Sequence, residues 1–369
     1  MHTDNMEGLG SVQQKVSCVY ETTVLNEHPK PVKTVLKVWR FEYIYIKVLI
    51  HVQVVASERM KQKAIDNDIH TAIVTEKLDG TCVYIAQFEG KPWLWARYDR
   101  KPTKGAEKRF KKFQQQKQKQ ESEFDKTPSF PLEDTPEYWI PALGVKIIDG
   151  FPVPDDIGHT PGWVPVSPSS RQQCWHLSAV DLNLGLALVL RVGDDGEGLY
   201  IDCVHMSQLE GHTAELIGTN INGNPYGIGS KKFPIHILVV HGSLTVRNPP
   251  EVKMETIKSW FQQEGQVEGL VWHCTNGTLF KLHRNHVALP WPVDSPTLTK
   301  RRVSVAVDTT KYELDNNDSL IARFGKFTGH SCESLTDLTN LLMSEECDVA
   351  GSCLQEQTGS PQKMIGTQS

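Results

Sequence analysis

Residues 71–81 read TAIVTEKLDGT. Ile73, Val74 and Thr75 are β-prone and lead straight into Glu76-Lys77-Leu78-Asp79-Gly80, and Cys82–Phe88 resumes the β pattern. The stretch therefore predicts a strand, a tight turn and a second strand, with Lys77 at a strand end where its side chain faces a cleft. Asp79 and Gly80 shape the turn, the glycine allowing close backbone approach. A free lysine amine has a pKa of about 10.4 and is almost wholly protonated at neutral pH. Desolvation or a neighbouring cation turns it into a nucleophile.

Outward from this turn, further strands are expected at Lys91–Trp95, Leu184–Val192, Leu199–Val204, Ile235–Val240, Gly269–His273 and Gly277–Leu282, the last two around a Thr-Asn-Gly turn. Val38–Val55 reads as one or two strands. Gln208–Leu216 and Val252–Gln263 read as helices, as does the basic stretch Gly105–Gln120, docked by Phe110 and Phe113. Nine prolines in 128–168 predict an irregular, tryptophan-anchored surface insert. GTNINGNPYGIGSKK at 218–232 is a loop by composition. Beyond residue 300 the periodicity fades into Ser, Thr, Asn, Asp and Gln, which predicts a disordered tail over 300–369, with a transient helix at Ser334–Met343.

The chain of 369 residues, 39% hydrophobic and 22% charged, is long enough for one large domain or two ordinary ones. Its eight cysteines contain no CxxC pair, which argues for reduced thiols in an intracellular protein, cytoplasmic or nuclear, and against a zinc knuckle or secreted disulfide framework. The N-terminus lacks the pattern of a signal peptide. The most apolar run, VWRFEYIYIKVLIHVQVV, carries Arg40, Glu42 and Lys47 and cannot offer a bilayer about 20 uncharged residues, so no membrane partner is expected. Net charge is −5, yet residues 91–119 hold eleven Lys or Arg against Asp99 and Glu107. That basic stretch is either a solvated face or a phosphate-backbone contact, and the same pair of readings applies to Lys231 and Lys232.

EKLDG at 76–80, VEGLVWH at 267–273 and LFKLHR at 279–284 stand in an order that resembles the covalent nucleotidyltransferases, the superfamily of polynucleotide ligases and mRNA-capping guanylyltransferases. With LWARYDRKPTKGAEKRFK at 94–111 and ELIGTNINGNPYG at 215–227, the chain resembles the animal ATP-dependent 5′-to-3′ RNA ligases from about Gly8 to Pro292, broken by an extra stretch near 34–53. That stretch is either an added strand pair or a translated non-coding segment. The resemblance implies an α+β nucleotidyltransferase (ligase adenylation) fold: two antiparallel sheets with flanking helices around an ATP cleft, and no OB-fold domain. It divides the chain into an N-terminal segment 1–55, an adenylyltransferase domain 56–299 and the tail.

The resemblance also assigns roles. Lys77 becomes the AMP-lysine nucleophile, and Lys281 its cationic neighbour, neutralising charge on the α-phosphate. Glu268 is the metal-binding glutamate for Mg²⁺ or Mn²⁺, which takes hard oxygen ligands. Glu215 contacts the AMP ribose or helps the metal. Glu76, Asp79 and Arg97 belong to the ATP site, and Arg100, Lys101 and Lys104 are the nearest cations for pyrophosphate or RNA. Two departures stand out. Cys82 occupies the place where many relatives carry arginine, and the second cation of the last motif is either His283 or Arg284. The function implied is ATP-dependent sealing of 5′-phosphate and 3′-hydroxyl RNA ends by a monomer, in RNA repair. The alternatives are a catalytically inactive RNA-binding protein of the same fold and a GTP-using capping-type enzyme.

Overall fold

The computed structural model describes residues 9, 11–26, 30–38, 41–49, 52–105, 108, 135–155, 158–193, 196–314 and 318–344. The chain is a mixed α+β fold of several sheets and few helices. Most of the helix predicted at Gly105–Gln120 lies outside the described residues, as do 128–134 and 345–369.

A four-stranded sheet carries the order Ser17–Cys18, Leu279–His283, Gly269–His273, Ile73–Lys77. Its register sets Gly269 between Lys77 and His283, and Val271 between Thr75 and Lys281. Because side chains alternate across a strand, Thr75, Lys77, Val271, Lys281 and His283 share one face. The opposite face presents Val74, Leu270, Trp272, Phe280 and Leu282, all buried against Ile257 and Phe261 of the helix Met254–Gln263. The apolar stripe of that helix and the even-numbered strand positions are thus one core, and the odd-numbered positions are left for another use.

The larger sheet runs Ser331–Cys332, Val303–Val305, Leu199–His205, Leu186–Val192, His236–Val240, Thr213–Gly218, Thr81–Phe88, Lys91–Arg97, Gly162–Pro165, Ile140–Pro141. Its middle strands are buried on both faces. Leu186, Leu188, Leu190, Ile217, Ile237 and Val239 pack on one side, and Ala187, Val189, Ala214, Leu216, Leu238 and Val240 on the other.

Several expectations need correction. Gln208–Leu216 is not a helix. A 3₁₀ turn, Met206–Leu209, ends at Gly211 (φ +81°), and the central strand Thr213–Gly218 begins. All six residues of that strand are buried, so it lacks the alternation that marks a half-exposed strand. The sheets are also not purely antiparallel. Ser17–Cys18 runs parallel to Leu279–His283, Leu186–Val192 to His236–Val240, and Leu199–His205 to Val303–Val305. Each parallel partner is distant in sequence, as crossover connections require. The proline-rich insert is not wholly a surface feature. Gly162–Pro165 pairs with Lys91–Arg97, and Trp163 is fully buried. Pro141, Pro152 and Pro165 each stand at the end of a strand, where proline is tolerated.

The tail prediction fails over 303–344. Val303, Val305, Val307, Leu320, Ile321, Phe324, Phe327, Leu335 and Leu338 are buried in the core of the larger sheet, with helices at Leu320–Gly325 and 335–344. Polar residues outnumber these anchors along the segment, which masks them in composition. In the extra stretch, Lys30–Val38 and Phe41–Leu49 form an antiparallel hairpin between the paired strands Tyr20–Asn26 and Val52–Met60. No helix of the described residues is long and apolar enough to cross a membrane.

Candidate active site

The two sheets leave a cavity of about 330 Å³ where the odd-numbered face of the small sheet meets the Thr81, Thr213 and His236 strands. Thr75, Glu76, Lys77, Leu78, Gly80, Cys82, Arg97, Glu215 and Lys281 line it, joined by Val12, Gln14, Lys15 and Val16 of the N-terminal segment and by the turn after Val240. A side chain at Gly80 would strike the Leu216 carbonyl oxygen at 2.4 Å, so glycine is what lets the turn lie against the Thr213–Gly218 strand.

Lys77 Nζ lies 2.6 Å from Glu268 Oε2 and donates to the Leu78 carbonyl at 3.2 Å. The other Glu268 oxygen faces His283 Nδ1 at 3.5 Å. Glu268 is thus a bracket behind Lys77 rather than part of the cavity wall. Burial pushes its carboxyl up to about 7, against the pull of the Lys77 ammonium. Burial, and then Lys77, draws the Lys281 ammonium below its ordinary value.

His283 cannot be a second cation, because burial and the Lys77 and Lys281 charges push its ring far down and keep it neutral. Nor does Arg284 reach the cavity. Its guanidinium donates to the carbonyls of Phe261, Gly265 and Pro290 at 2.7–3.0 Å and anchors the end of the helix Met254–Gln263.

Glu215 and Cys82 are direct cross-strand partners, and Glu215 Oε2 lies 2.9 Å from His241 Nε2. His241 Nδ1 meets the Thr213 hydroxyl at 2.9 Å, which fixes the ring. Cys82, Glu215 and His241 bring one ligand atom each within 4.8 Å of one another, a set that can hold a metal ion. Arg97 lines the cavity but is committed, donating to Asp99 Oδ1 at 2.6 Å and the Gln13 carbonyl at 2.5 Å while stacking on Trp163.

Asp79, expected in the ATP site, is not on the cavity wall. Its oxygens accept from Asn222 Nδ2 at 2.7 Å and Trp291 Nε1 at 2.8 Å, and its amide donates to the Tyr226 hydroxyl. It ties the turn after Lys77 to the 218–232 loop and to the chain after Leu279–His283. The proposed pyrophosphate cations are also elsewhere: Arg100 stacks on Trp139, and Lys101 and Lys104 are exposed outside the cavity lining. Lys231 and Lys232 are likewise exposed and do not line it.

Among the polar wall residues, Lys15, Gln14, Thr75, Asp99, His241 and His273 escaped the sequence reading. Thr75 and His273 were recoverable, since they follow from alternation once Lys77 and Val271 are set. Thr75 Oγ1 and His273 Nε2 are 2.9 Å apart, and burial pushes His273 down to about 4. His241 and Lys15 reach the site by tertiary packing alone.

Desolvation pushes Glu76 up to about 7, partly offset by Arg301. A carboxyl raised in the folded state favours folding below its unfolded value near 4.5 and loses that contribution as pH rises through 7. Glu76→Gln should therefore melt above the wild type at pH 8 and with it near pH 4.5. A gap that widens toward acid would refute the buried-carboxyl reading.

The family model described as RNA ligase 1 matches residues 6–341. Proteins named RNA ligase 1 are similar over nearly their whole length. The one from Danio rerio is 48% identical over 337 residues, covering 90% of this chain and 99% of its own. The one from Rattus norvegicus is 45% identical over 338 residues, with the same coverage. The matched span runs through the segment read from composition as a tail.

Proposed function

The chain belongs to the RNA ligase 1 family, and from that premise we propose that it seals RNA ends with ATP, using Lys77 as the nucleophile. The observation that carries the reading is the placement of Lys77. Its amine stands 2.6 Å from Glu268, with Lys281 beside it, on a cavity walled by Glu76, Arg97 and Glu215. Two sheets closing on such a lysine accord with the ligase-adenylation fold.

In this reading Lys77 Nζ attacks the α-phosphorus of ATP and pyrophosphate leaves. The AMP passes from the lysine to the 5′-phosphate of RNA. A 3′-hydroxyl then attacks that activated end and AMP departs. Glu268 holds Nζ in place through one oxygen, and neutral His283 steadies the other. The Lys281 charge meets the developing negative charge on the α-phosphate. Asp79, locked by Asn222 and Trp291, keeps the turn from moving as the amine reacts.

The donors fit a divalent cation. Glu215 supplies a hard oxygen, with Cys82 and His241 bringing ligand atoms within 4.8 Å of it, whereas the Glu268 oxygens already face Lys77 and His283. Mg²⁺ or Mn²⁺, when bound there, supplies positive charge against the triphosphate. Neighbouring His241 adds a nitrogen, which suits Mn²⁺ better than Mg²⁺. Action as a monomer in RNA repair belongs to the same proposal.

The test is a two-stage labelling. The chain is incubated with α-labelled ATP or GTP and a divalent cation, and 5′-phosphate, 3′-hydroxyl RNA is then added. Label from ATP that enters the protein and chases out as AMP while RNA is sealed supports the reading. Label from GTP alone would make the chain a capping-type enzyme, and RNA binding without any adduct would make it an inactive relative.

A further inference from the structure

Every cation on the cavity wall but one has a task. Among the described residues these cations are Lys15, Lys77, Arg97 and Lys281. Lys77 is the nucleophile, Lys281 its neighbour, and Arg97 is held by Asp99, Gln13 and Trp163. The leaving pyrophosphate carries several negative charges and needs a cation of its own.

Lys15 sits on a strap that is pinned along its length. Ser11 Oγ donates to the Gly211 carbonyl at 3.0 Å, and the Val12 amide donates to Thr213 Oγ1 at 2.8 Å. Gln13 Oε1 accepts from Trp163 Nε1 at 2.9 Å and from the Leu143 amide at 3.2 Å, and Gln14 Nε2 donates to the Leu143 carbonyl. The backbone of Lys15 is thereby fixed at the cavity, while its side chain is 50% exposed. Its ammonium donates to His159 Nδ1 at 2.8 Å, and Asp155 stands off at 3.8 Å. Burial and the Lys15 charge push the His159 ring down, so this acceptor is neutral. Its hydrogen bond therefore takes none of the lysine's positive charge, which only the exposed Asp155 carboxylate at 3.8 Å offsets.

We propose that Lys15, presented by the pinned strap 11–16, binds the β- and γ-phosphates of ATP and the pyrophosphate they become. The inference deepens the ligase reading and rests on it for the reaction, but pyrophosphate binding can be measured apart from catalysis. The exposed His159 and Asp155 contacts are weak enough to be exchanged for a phosphate oxygen.

The experiment compares wild type, Lys15→Ala and Lys15→Arg in three assays. Titrating inorganic pyrophosphate into the ATP-free protein by calorimetry, Lys15→Ala should bind about tenfold more weakly or worse, and Lys15→Arg should recover most of the loss. In adduct formation, kcat/KM for ATP should fall by a similar factor. Sealing of RNA that already carries 5′-adenylate expels no pyrophosphate, so it should stay within about twofold. Unchanged pyrophosphate binding overturns the proposal, and so does an equal loss in all three assays, which would make Lys15 a support of the strap. If the wild type forms no adduct yet binds pyrophosphate through Lys15, the ligase reading fails and the subsite stands.

Discussion

Lys77→Ala is expected to take up no label from α-labelled ATP, and Lys77→Arg to do no better. Covalent transfer needs an amine with a free electron pair, and no other described residue sits 2.6 Å from Glu268 at the end of that strand. Arginine keeps the charge but holds its proton at every accessible pH, so it cannot substitute as the nucleophile. Folding should survive the alanine change. The lost partner was the main force holding the Glu268 carboxyl near 7, so in its absence burial drives that group still higher and it takes up a proton. The destabilisation, of order 1–3 kcal/mol, should be largest in alkaline buffer and fade as the pH falls below about 7, where folded Glu268 is neutral in either protein. Adduct gels and thermal melts at pH 5, 7 and 8.5 measure both effects. Persistent labelling of Lys77→Ala would remove this lysine from the chemistry. A melting difference that grows toward acid would remove the charged pair from the stability argument.

The sequence makes legible what short-range physics controls. β-prone residues on both sides of Lys77 announce the strand–turn–strand, and the Thr-Asn-Gly turn announces the hairpin that carries Glu268, Val271 and Lys281. What stays hidden depends on burial. Gln208–Leu216 reads as helical because the strand that begins at Thr213 is covered on both faces and has no alternation to show. His283 reads as a cation because its loss of charge comes first from burial and then from Lys77, a residue distant in sequence, neither of which a local pattern records. Arg284 could have been the replacement by type, but its reach toward the end of a helix is a packing fact. Asp79 lies in the motif and not in the cavity, because its hydrogen bonds point to Asn222 and Trp291. Lys15 stands 62 positions before the nucleophile and is brought beside it by Gln13 and Trp163, contacts that no local pattern records.

A chain ending at Arg302 is expected to lose cooperative folding altogether. Val303–Val305 runs parallel to Leu199–His205, and the Ala306 amide donates to the Ile201 carbonyl at 2.8 Å. Without these partners Leu199–His205 becomes a bare edge beside Leu186–Val192. Phe324, Ile321, Leu335 and Leu338 also leave the face they share with Leu188, Leu190 and Ile237. Each large apolar side chain taken back into water costs roughly 1.5–3 kcal/mol, and a domain's whole stability is only about 5–15 kcal/mol. Four such losses exhaust it before the strand is counted. The milder variant Phe324→Ala should fold but unfold about 3–5 kcal/mol more easily, the range for deleting a fully buried phenyl ring. Because Phe324 lies outside the cavity lining, the variant's adduct formation below its melting temperature should match the wild type. Urea titrations of the two proteins and an adduct assay on Phe324→Ala settle the matter. A truncated chain that melts sharply at the wild-type temperature would return residues 303–344 to the status of a dispensable tail. The energetic reason is that this segment does not hang from the larger sheet but completes it, and other strands of that sheet carry Cys82 and Glu215 to the cavity that Lys77 lines.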